Sequence, residues 1–97
     1  MYGVIRERID RGDSDTSYVA RLVGQGEDAV LKKIGEECCE VILAAKGGDR
    51  AAAIHEAADL QFHLLIWMAC ADITPEDVEG ELGSRFGHSG LRDRNSL

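Results

Sequence analysis

Apolar residues recur every three to four positions along most of the chain, a spacing that places them on one face of an α-helix. No stretch shows convincing strand alternation, and glycines or short polar clusters separate the periodic segments. The sequence therefore predicts an all-α fold, a helical bundle of about four to five helices. The predicted helices cover approximately residues 1–11, 17–24, 27–46, 50–71 and 75–86.

Residues at the predicted helix ends suit those positions. Asp49 can cap the fourth helix, and Gly48 before it stops the third. Thr74 can cap the fifth helix, with Pro75 at the first helical position and Asp77 three residues after the cap, as in a capping box. These signals support the same division into helices as the hydrophobic pattern.

The length indicates one domain. The chain has 97 residues, which corresponds to a single domain over residues 1–97. Residues 87–97 mix glycine with polar and charged residues, and we expect them to form a loop-like tail. Because a chain of this size buries only a modest core by itself, association with a second copy would add stability.

Charge and cysteine content narrow the partners and the compartment. The net charge is −7, from 18 acidic and 11 basic residues. The sequence has no basic stretch of any length, which argues against nucleic-acid binding. The three cysteines include an adjacent pair but no C-x-x-C motif, which argues against a disulfide framework and a zinc–thiolate site. We therefore expect a cytoplasmic protein. The longest apolar run, Leu64–Ala71, is too short to span a bilayer, so no membrane partner is expected.

Acidic residues are concentrated on two consecutive predicted helices. Glu37 and Glu40 are three residues apart in the third helix, at the margin of its apolar arc. Glu56 and Asp59 have the same spacing in the fourth. A short turn would pack the two helices antiparallel and bring the four carboxylates together. Bound cations or raised pKa values must then offset the repulsion, because unneutralised charges in a half-buried site are costly.

The donor types predict the ion and its chemistry. Ligands that are all oxygen select hard ions, so we expect Mg²⁺ or Mn²⁺. A di-iron bundle would need a Glu-x-x-His motif, and the residue three positions after Glu56 is Asp. Mg²⁺ held by carboxylates typically bridges to phosphates and activates water. The sequence thus predicts a small-molecule nucleotide as substrate and hydrolysis of its phosphoanhydride.

The apolar arc of the third helix is expected to face a core. It comprises Val30, Leu31, Ile34, Cys38, Val41, Ile42 and Ala45. On this interpretation Cys38 packs inside the protein. In the fourth helix, Phe62 and Trp67 are interpreted as core or dimer contacts, with stacking against a nucleotide base as the alternative.

Several motifs together resemble a known family. The pattern E-E-x-x-E followed by E-x-x-D, here EECCE and EAAD, is the signature of the all-α NTP pyrophosphohydrolases. Longer stretches resemble the phosphoribosyl-ATP pyrophosphatase family more specifically, namely DSDTSYVARL, GEDAVLKKIGEE, AAKGGDR, HEAADLQFHLL and RFGHSGL. The resemblance extends from about Asp13 to Leu91. The last residues, RDRNSL, depart from the family's usual ending.

The resemblance implies an activity and a site. Members of the family hydrolyse phosphoribosyl-ATP to phosphoribosyl-AMP and pyrophosphate, the second step of histidine biosynthesis, as Mg²⁺-dependent cytoplasmic homodimers. It implies Glu37, Glu40, Glu56 and Asp59 as metal ligands, with Glu36 as the first glutamate of the motif. Glu36, Glu37 and Glu40 are the catalytic candidates, and Glu36 or Glu40 is expected to activate water as general base.

Nearby basic residues have alternative interpretations. Lys33 can contact a substrate phosphate or form an i, i+4 ion pair with Glu37. Lys32 and Arg50 can bind phosphate or remain solvated charges. His63 can be a ligand or a general base, although we favour a hydrogen-bonded core position or a role in orienting a ligand.

Two other functions fit the same pattern. A house-cleaning dNTP pyrophosphatase on this scaffold would have nearly the same metal site, and only the base and sugar pockets would differ. A non-catalytic helical dimerisation module would leave the acidic residues solvated and would gain no stability from Mg²⁺.

Overall fold

The computed structural model describes residues 1–86 and contains five helices in that range. These are α1 (Tyr2–Arg11), α2 (Tyr18–Gly24), α3 (Glu27–Gly47), α4 (Arg50–Cys70) and α5 (Pro75–Arg85). Residues 1–86 include no strand, which confirms the predicted all-α class. The predicted loop-like tail, residues 87–97, lies outside the described residues.

The two long helices, α3 and α4, form an antiparallel hairpin and make the most extensive helix–helix pairing in the molecule. Gly48 ends α3 in the left-handed conformation with φ of 76°, which glycine adopts without steric cost. Asp49 then begins α4, because its side chain accepts a hydrogen bond from the Ala52 amide at 3.1 Å. Both predicted end signals are confirmed, and the tight turn fixes how the two helices face each other.

The capping box at the start of α5 is also confirmed. The Thr74 hydroxyl accepts a hydrogen bond from the Asp77 amide at 3.1 Å, and the Asp77 carboxylate accepts one from the Thr74 amide at 2.9 Å. This reciprocal pair satisfies two backbone donors that no intrahelical partner can reach. The capping box therefore fixes the start of α5 through local hydrogen bonds. Helix α5 contributes no buried residue to the described structure.

The core lies at the open end of the hairpin, away from the turn. There α1 and α2 pack against α4, and α2 also contacts α3. The buried cluster consists of Ile5, Val19, Leu22, Val30, Ile66 and Ala69. The Arg6 guanidinium donates a hydrogen bond to the Ala69 carbonyl oxygen at 2.6 Å, which ties α1 to the end of α4. No helix in the described range is long and apolar enough to cross a membrane.

The prediction that the whole apolar arc of α3 faces a core is wrong for this single chain. Val30 is buried, but Leu31, Cys38, Ile42 and Ala45 are exposed. The reason is geometric: α1 and α2 cover only part of the hairpin, at its open end, so in residues 1–86 one side of α3 has no neighbouring helix. Cys38 is therefore exposed in the described structure instead of packed.

We predict that Ile66→Ala lowers the free energy of unfolding by about 2–5 kcal/mol. Ile66 is fully buried at 0% exposure, so truncation removes apolar burial and leaves a cavity. Chemical denaturation followed by circular dichroism measures the change. Val4→Ala, at a site that is 51% exposed on α1, is the matched control and should shift stability by no more than about 0.5 kcal/mol. Equal losses in the two variants would contradict this placement of the core.

Candidate metal and active site

The four predicted ligand residues lie in the middle of the hairpin, where the two helices face each other. Glu40 on α3 and Glu56 on α4 are equally far along the chain from Gly48, and so are Glu37 and Asp59. In an antiparallel hairpin, residues equally distant from the turn lie at the same level. The tight turn therefore places the two i, i+3 pairs level with each other.

Glu37 is the most constrained of these carboxylates. It is 6% exposed, and its Oε1 atom lies 3.4 Å from the Lys33 ammonium. Its Oε2 atom is buried and has no hydrogen-bond partner among the described residues. Hydrogen bonding to Glu37 raises the pKa of Lys33 above its ordinary value, against the opposing effect of burial. A buried anionic oxygen without a partner is costly, so this atom is placed to accept a cation or a donor.

A second group of donors lies on α4. The Nε2 atom of His55 is 3.3 Å from Oδ2 of Asp59 and 3.7 Å from Oε1 of Glu56. Donor atoms of these three residues all lie within 4.8 Å of one another, which makes them the one such His, Cys and carboxylate group in residues 1–86. His55 is exposed, whereas Glu56 and Asp59 are half-buried. The imidazole thus lies over the two α4 carboxylates from the solvent side.

His63 is a buried, hydrogen-bonded residue, as we favoured from the sequence. It is 5% exposed, and its Nδ1 atom lies 2.7 Å from the Asp59 carbonyl oxygen. A carbonyl oxygen can only accept, so Nδ1 carries the proton that forms this bond. In the neutral ring Nε2 then accepts from the Tyr18 hydroxyl, which lies 2.7 Å away. His63 therefore connects α2 to the part of α4 that carries Asp59.

Tyr18 shows that charges from both helices converge. Burial raises the pKa of the Tyr18 hydroxyl above its ordinary value of 10.0, and the negative charges of Glu37 and Asp59 raise it further. The positive charges of Lys33 and Arg21 act in the opposite direction. The pKa of Tyr18 is therefore influenced by carboxylates of both α3 and α4.

The remaining predicted site residues are more open to solvent. Glu36 and Glu40 are exposed, with Glu36 3.9 Å from the Lys33 ammonium. Lys32 is exposed on α3, and Arg50 is exposed in the first turn of α4, next to the hairpin turn. Glu37 and Glu40 do not belong to the compact donor group on α4, so the structure brings the predicted ligands together as two neighbouring parts.

His55 is the residue that the sequence analysis missed. The spacing contained a signal, because His55 is four residues before Asp59 and adjacent to Glu56. His63 has the same spacing on the other side, because it follows Asp59 by four residues. Only the structure distinguishes the exposed histidine over the carboxylates from the buried one behind them.

The donors present fit a hard divalent cation. Among residues 1–86, Glu37 offers a buried carboxylate oxygen with no partner, and Glu56 and Asp59 offer half-buried oxygens near the exposed imidazole of His55. Carboxylate oxygens of this kind are the ligands that Mg²⁺ and Mn²⁺ prefer. The fold and the site together define an all-α protein with a carboxylate-rich face between two antiparallel helices.

Comparison with known proteins identifies the family. Residues 1–86 match the family model described as phosphoribosyl-ATP pyrophosphohydrolase. A protein from Janthinobacterium sp. (strain Marseille), called phosphoribosyl-ATP pyrophosphatase, is 47% identical over 93 residues, which cover 92% of this chain and 82% of the relative. A protein of the same name from Geobacter metallireducens is 46% identical over 96 residues, which cover 99% of this chain and 87% of the relative.

A third relative of that name, from Burkholderia ambifaria, is 53% identical over 87 residues, which cover 86% of this chain and 72% of the relative. The chain therefore belongs to the phosphoribosyl-ATP pyrophosphohydrolase family. This confirms the resemblance inferred from the acidic motifs and the hydrolase class that it implied.

We predict that the Lys33–Glu37 contact stabilises the fold in a pH-dependent way. The pKa of Lys33 is raised in the folded chain, so the contribution is complete below its ordinary value of 10.5 and is lost as pH rises through the higher folded value. The stability difference between the native chain and Lys33→Gln should therefore shrink on going from about pH 9 to about pH 12.

Denaturant unfolding at a series of pH values measures this difference. Lys46→Gln, at an exposed position in the last turn of α3, is the matched control and should show no comparable change. A stability difference for Lys33→Gln that stays constant over the same pH range would contradict the proposed pairing.

Proposed function

We propose that this chain hydrolyses phosphoribosyl-ATP to phosphoribosyl-AMP and pyrophosphate, the second step of histidine biosynthesis. The observation that carries the proposal is a buried oxygen of Glu37 that has no partner in residues 1–86, level with the α4 carboxylates, in a chain of this family. A nucleotide triphosphate is strongly anionic, as is this chain, so binding needs a cation between them. Carboxylates at this position supply the place for that cation.

Glu37, Glu40, Glu56 and Asp59 would hold Mg²⁺ or Mn²⁺ in this proposal. Three of them already offer buried or half-buried oxygens, and Glu40 is one turn nearer to the hairpin turn on the same side as Glu37. When bound, the ion would neutralise charge on the triphosphate and lower the pKa of a coordinated water molecule. These are the two requirements for attack on an α–β anhydride at neutral pH.

Other side chains near the proposed cation site can transfer a proton or bind phosphate. Glu36 and Glu40 are exposed, so either carboxylate can take a proton from the attacking water and return it to solvent. Lys33 contacts both Glu36 and Glu37, and a cation at Glu37 would compete with its ammonium group. Once displaced, that ammonium can contact a phosphate oxygen. Lys32 and Arg50 are exposed at the two ends of this face and can contact the outer phosphates.

We predict that Glu37→Gln and Asp59→Asn each reduce turnover of phosphoribosyl-ATP by at least about a hundredfold while the helical content is retained. Either change removes a negative charge from the cation site without changing side-chain size. Pyrophosphate release measures turnover, and circular dichroism measures helicity. Glu76→Gln, on α5 and exposed, is the matched control and should retain full activity.

Metal binding gives an independent measurement. Mg²⁺ should raise the melting temperature of the native chain and should do so much less for Glu37→Gln. Unchanged melting in Mg²⁺, together with full activity in both variants, would overturn the ligand assignment. Faster hydrolysis of common dNTPs than of phosphoribosyl-ATP would instead identify a house-cleaning pyrophosphatase.

We propose also that the chain works as a homodimer in the cytoplasm. On the side of the hairpin near the turn, Ile42, Leu43 and Ile54 are 61%, 65% and 57% exposed. Large apolar side chains this exposed near one end of the molecule often mark an interface, and Ile42 belongs to the apolar arc of α3. The three cysteines are free and exposed, which supports a reducing compartment.

We predict that Ile42→Glu lowers the dimer population, because a charge would be desolvated in the proposed interface. Analytical ultracentrifugation over a range of concentrations measures the change. Val4→Glu introduces the same group at an apolar site on α1 that is 51% exposed, and it should leave association unaltered. A native chain that sediments as a monomer at all concentrations would contradict the proposal.

A further inference from the structure

Tyr18 belongs to two surfaces at once. Its hydroxyl bonds to His63, which in turn bonds to the Asp59 backbone, while its ring forms part of the wall of a groove between α1, α2 and α4. The Tyr18 ring stacks with Phe62, with ring centres 6.3 Å apart and planes inclined by 25°. The groove is therefore linked through Tyr18 and His63 to the part of α4 that carries Asp59.

The first part of the groove is apolar and aromatic. It has a volume of about 220 Å³, and its sides include Val4, Tyr18 and Phe62, with Arg8 at one side. Val4 is 51% exposed and Tyr18 is 39% exposed, so neither is needed to close the core. Flat aromatic faces with an adjoining guanidinium group suit a heterocyclic ring such as a purine, through stacking and hydrogen bonding to ring acceptors.

The second part of the groove is polar and continues from the first through Arg8 and Ser17, which line both. Its other lining residues are Arg11, Asp13 and Thr16. Arg8 forms no ion pair with any residue of the described range, and Arg11 pairs only with the exposed Glu7 at 3.3 Å. Asp13 is the one acidic lining residue, so two guanidinium groups outweigh it.

Helix α1 has more basic than acidic residues, in contrast to the chain as a whole. The chain has a net charge of −7, yet α1 carries three arginines, Arg6, Arg8 and Arg11, against two acidic residues. Arg6 is used in the contact with α4, which leaves Arg8 and Arg11 at the groove. Guanidinium groups bind phosphate with planar, paired hydrogen bonds, so this part of the groove suits a phosphate monoester.

Phosphoribosyl-ATP has the matching order of chemical groups. It is a nucleoside triphosphate whose purine carries a second ribose with its own phosphate. Its triphosphate and its second phosphate are therefore separated by an aromatic ring. The protein presents carboxylates for a cation, then the Tyr18–Phe62 wall, then Arg8 and Arg11, in the same order.

We propose that the two joined grooves form a substrate subsite, in which Tyr18 and Phe62 contact the purine while Arg8 and Arg11 bind the phosphate of the second ribose. This inference rests on the proposed function, because it names how that substrate is distinguished from other nucleotides. ATP and dNTPs lack the second phosphate and leave the arginine end empty. Specificity for the phosphoribosyl group then comes from α1, which carries none of the predicted metal ligands.

The test compares substrates with and without the second phosphate. Arg8→Gln and Arg11→Gln should each raise KM for phosphoribosyl-ATP about tenfold or more, since each removes a charge-assisted hydrogen bond, and should leave kcat little changed. Neither variant should alter KM for ATP. Arg85→Gln, an exposed arginine on α5, is the matched control and should behave as the native chain with both substrates.

A binding measurement separates this inference from the proposed chemistry. Calorimetry without metal should show that the native chain binds phosphoribosyl-AMP more tightly than AMP, and that Arg8→Gln removes the difference. If the native chain binds phosphoribosyl-AMP in this Arg8-dependent way but does not hydrolyse phosphoribosyl-ATP, the proposed function fails and the subsite stands. If hydrolysis proceeds and both arginine variants match Arg85→Gln, the subsite is overturned and the proposed function stands.

Discussion

Negative charge held between two packed helices is the constraint on which this structure depends. The turn at Gly48 and Asp49 pairs α3 with α4, and this pairing sets Glu37 and Glu40 level with Glu56 and Asp59. In residues 1–86, Lys33 offsets part of that charge, yet one oxygen of Glu37 is buried with no hydrogen-bond partner in this range. Such an arrangement favours any cation that can enter, because the cost of the repulsion is already present in the fold.

The rest of the described structure keeps that charged face in place. The core of Ile5, Val30 and Ile66 closes the open end of the hairpin, so the carboxylates lie between a rigid core and a tight turn. His63 extends the core towards the site by bonding to the Asp59 backbone on one side and to Tyr18 on the other. A residue that packs and bonds in this way limits the movement of the part of α4 that carries Asp59.

Charge is distributed so that different faces suit different ends of a substrate. The hairpin carries the acidic groups, for which we propose a cation, whereas α1 presents two arginines that can contact a phosphate directly. Tyr18, on the short helix α2, lies between the two regions. In these two proposals, a chain with a strongly negative total charge binds an anion at two places, at one through a cation and at the other through guanidinium groups.

The sequence by itself determined the helices and their ends, because helical period and capping are local properties. Gly48, Asp49, Thr74 and Asp77 act within a few residues of their own positions, so their roles could be predicted directly. The spacing of the carboxylate pairs, and the family to which the motifs belong, followed from the same local information. Cys38 was expected to pack inside the protein but is exposed in the described structure. The apolar arc of a helix does not indicate which part of that arc a neighbouring helix covers.

Only the tertiary structure decided what meets across distant parts of the chain. It shows that His55 is exposed and that His63 is buried, although both are four residues from Asp59. It also set Tyr18 against His63 and joined the residues of α1, α2 and α4 into one groove. These contacts depend on how helices pack in three dimensions, and the helical period of a single segment carries no information about its partner.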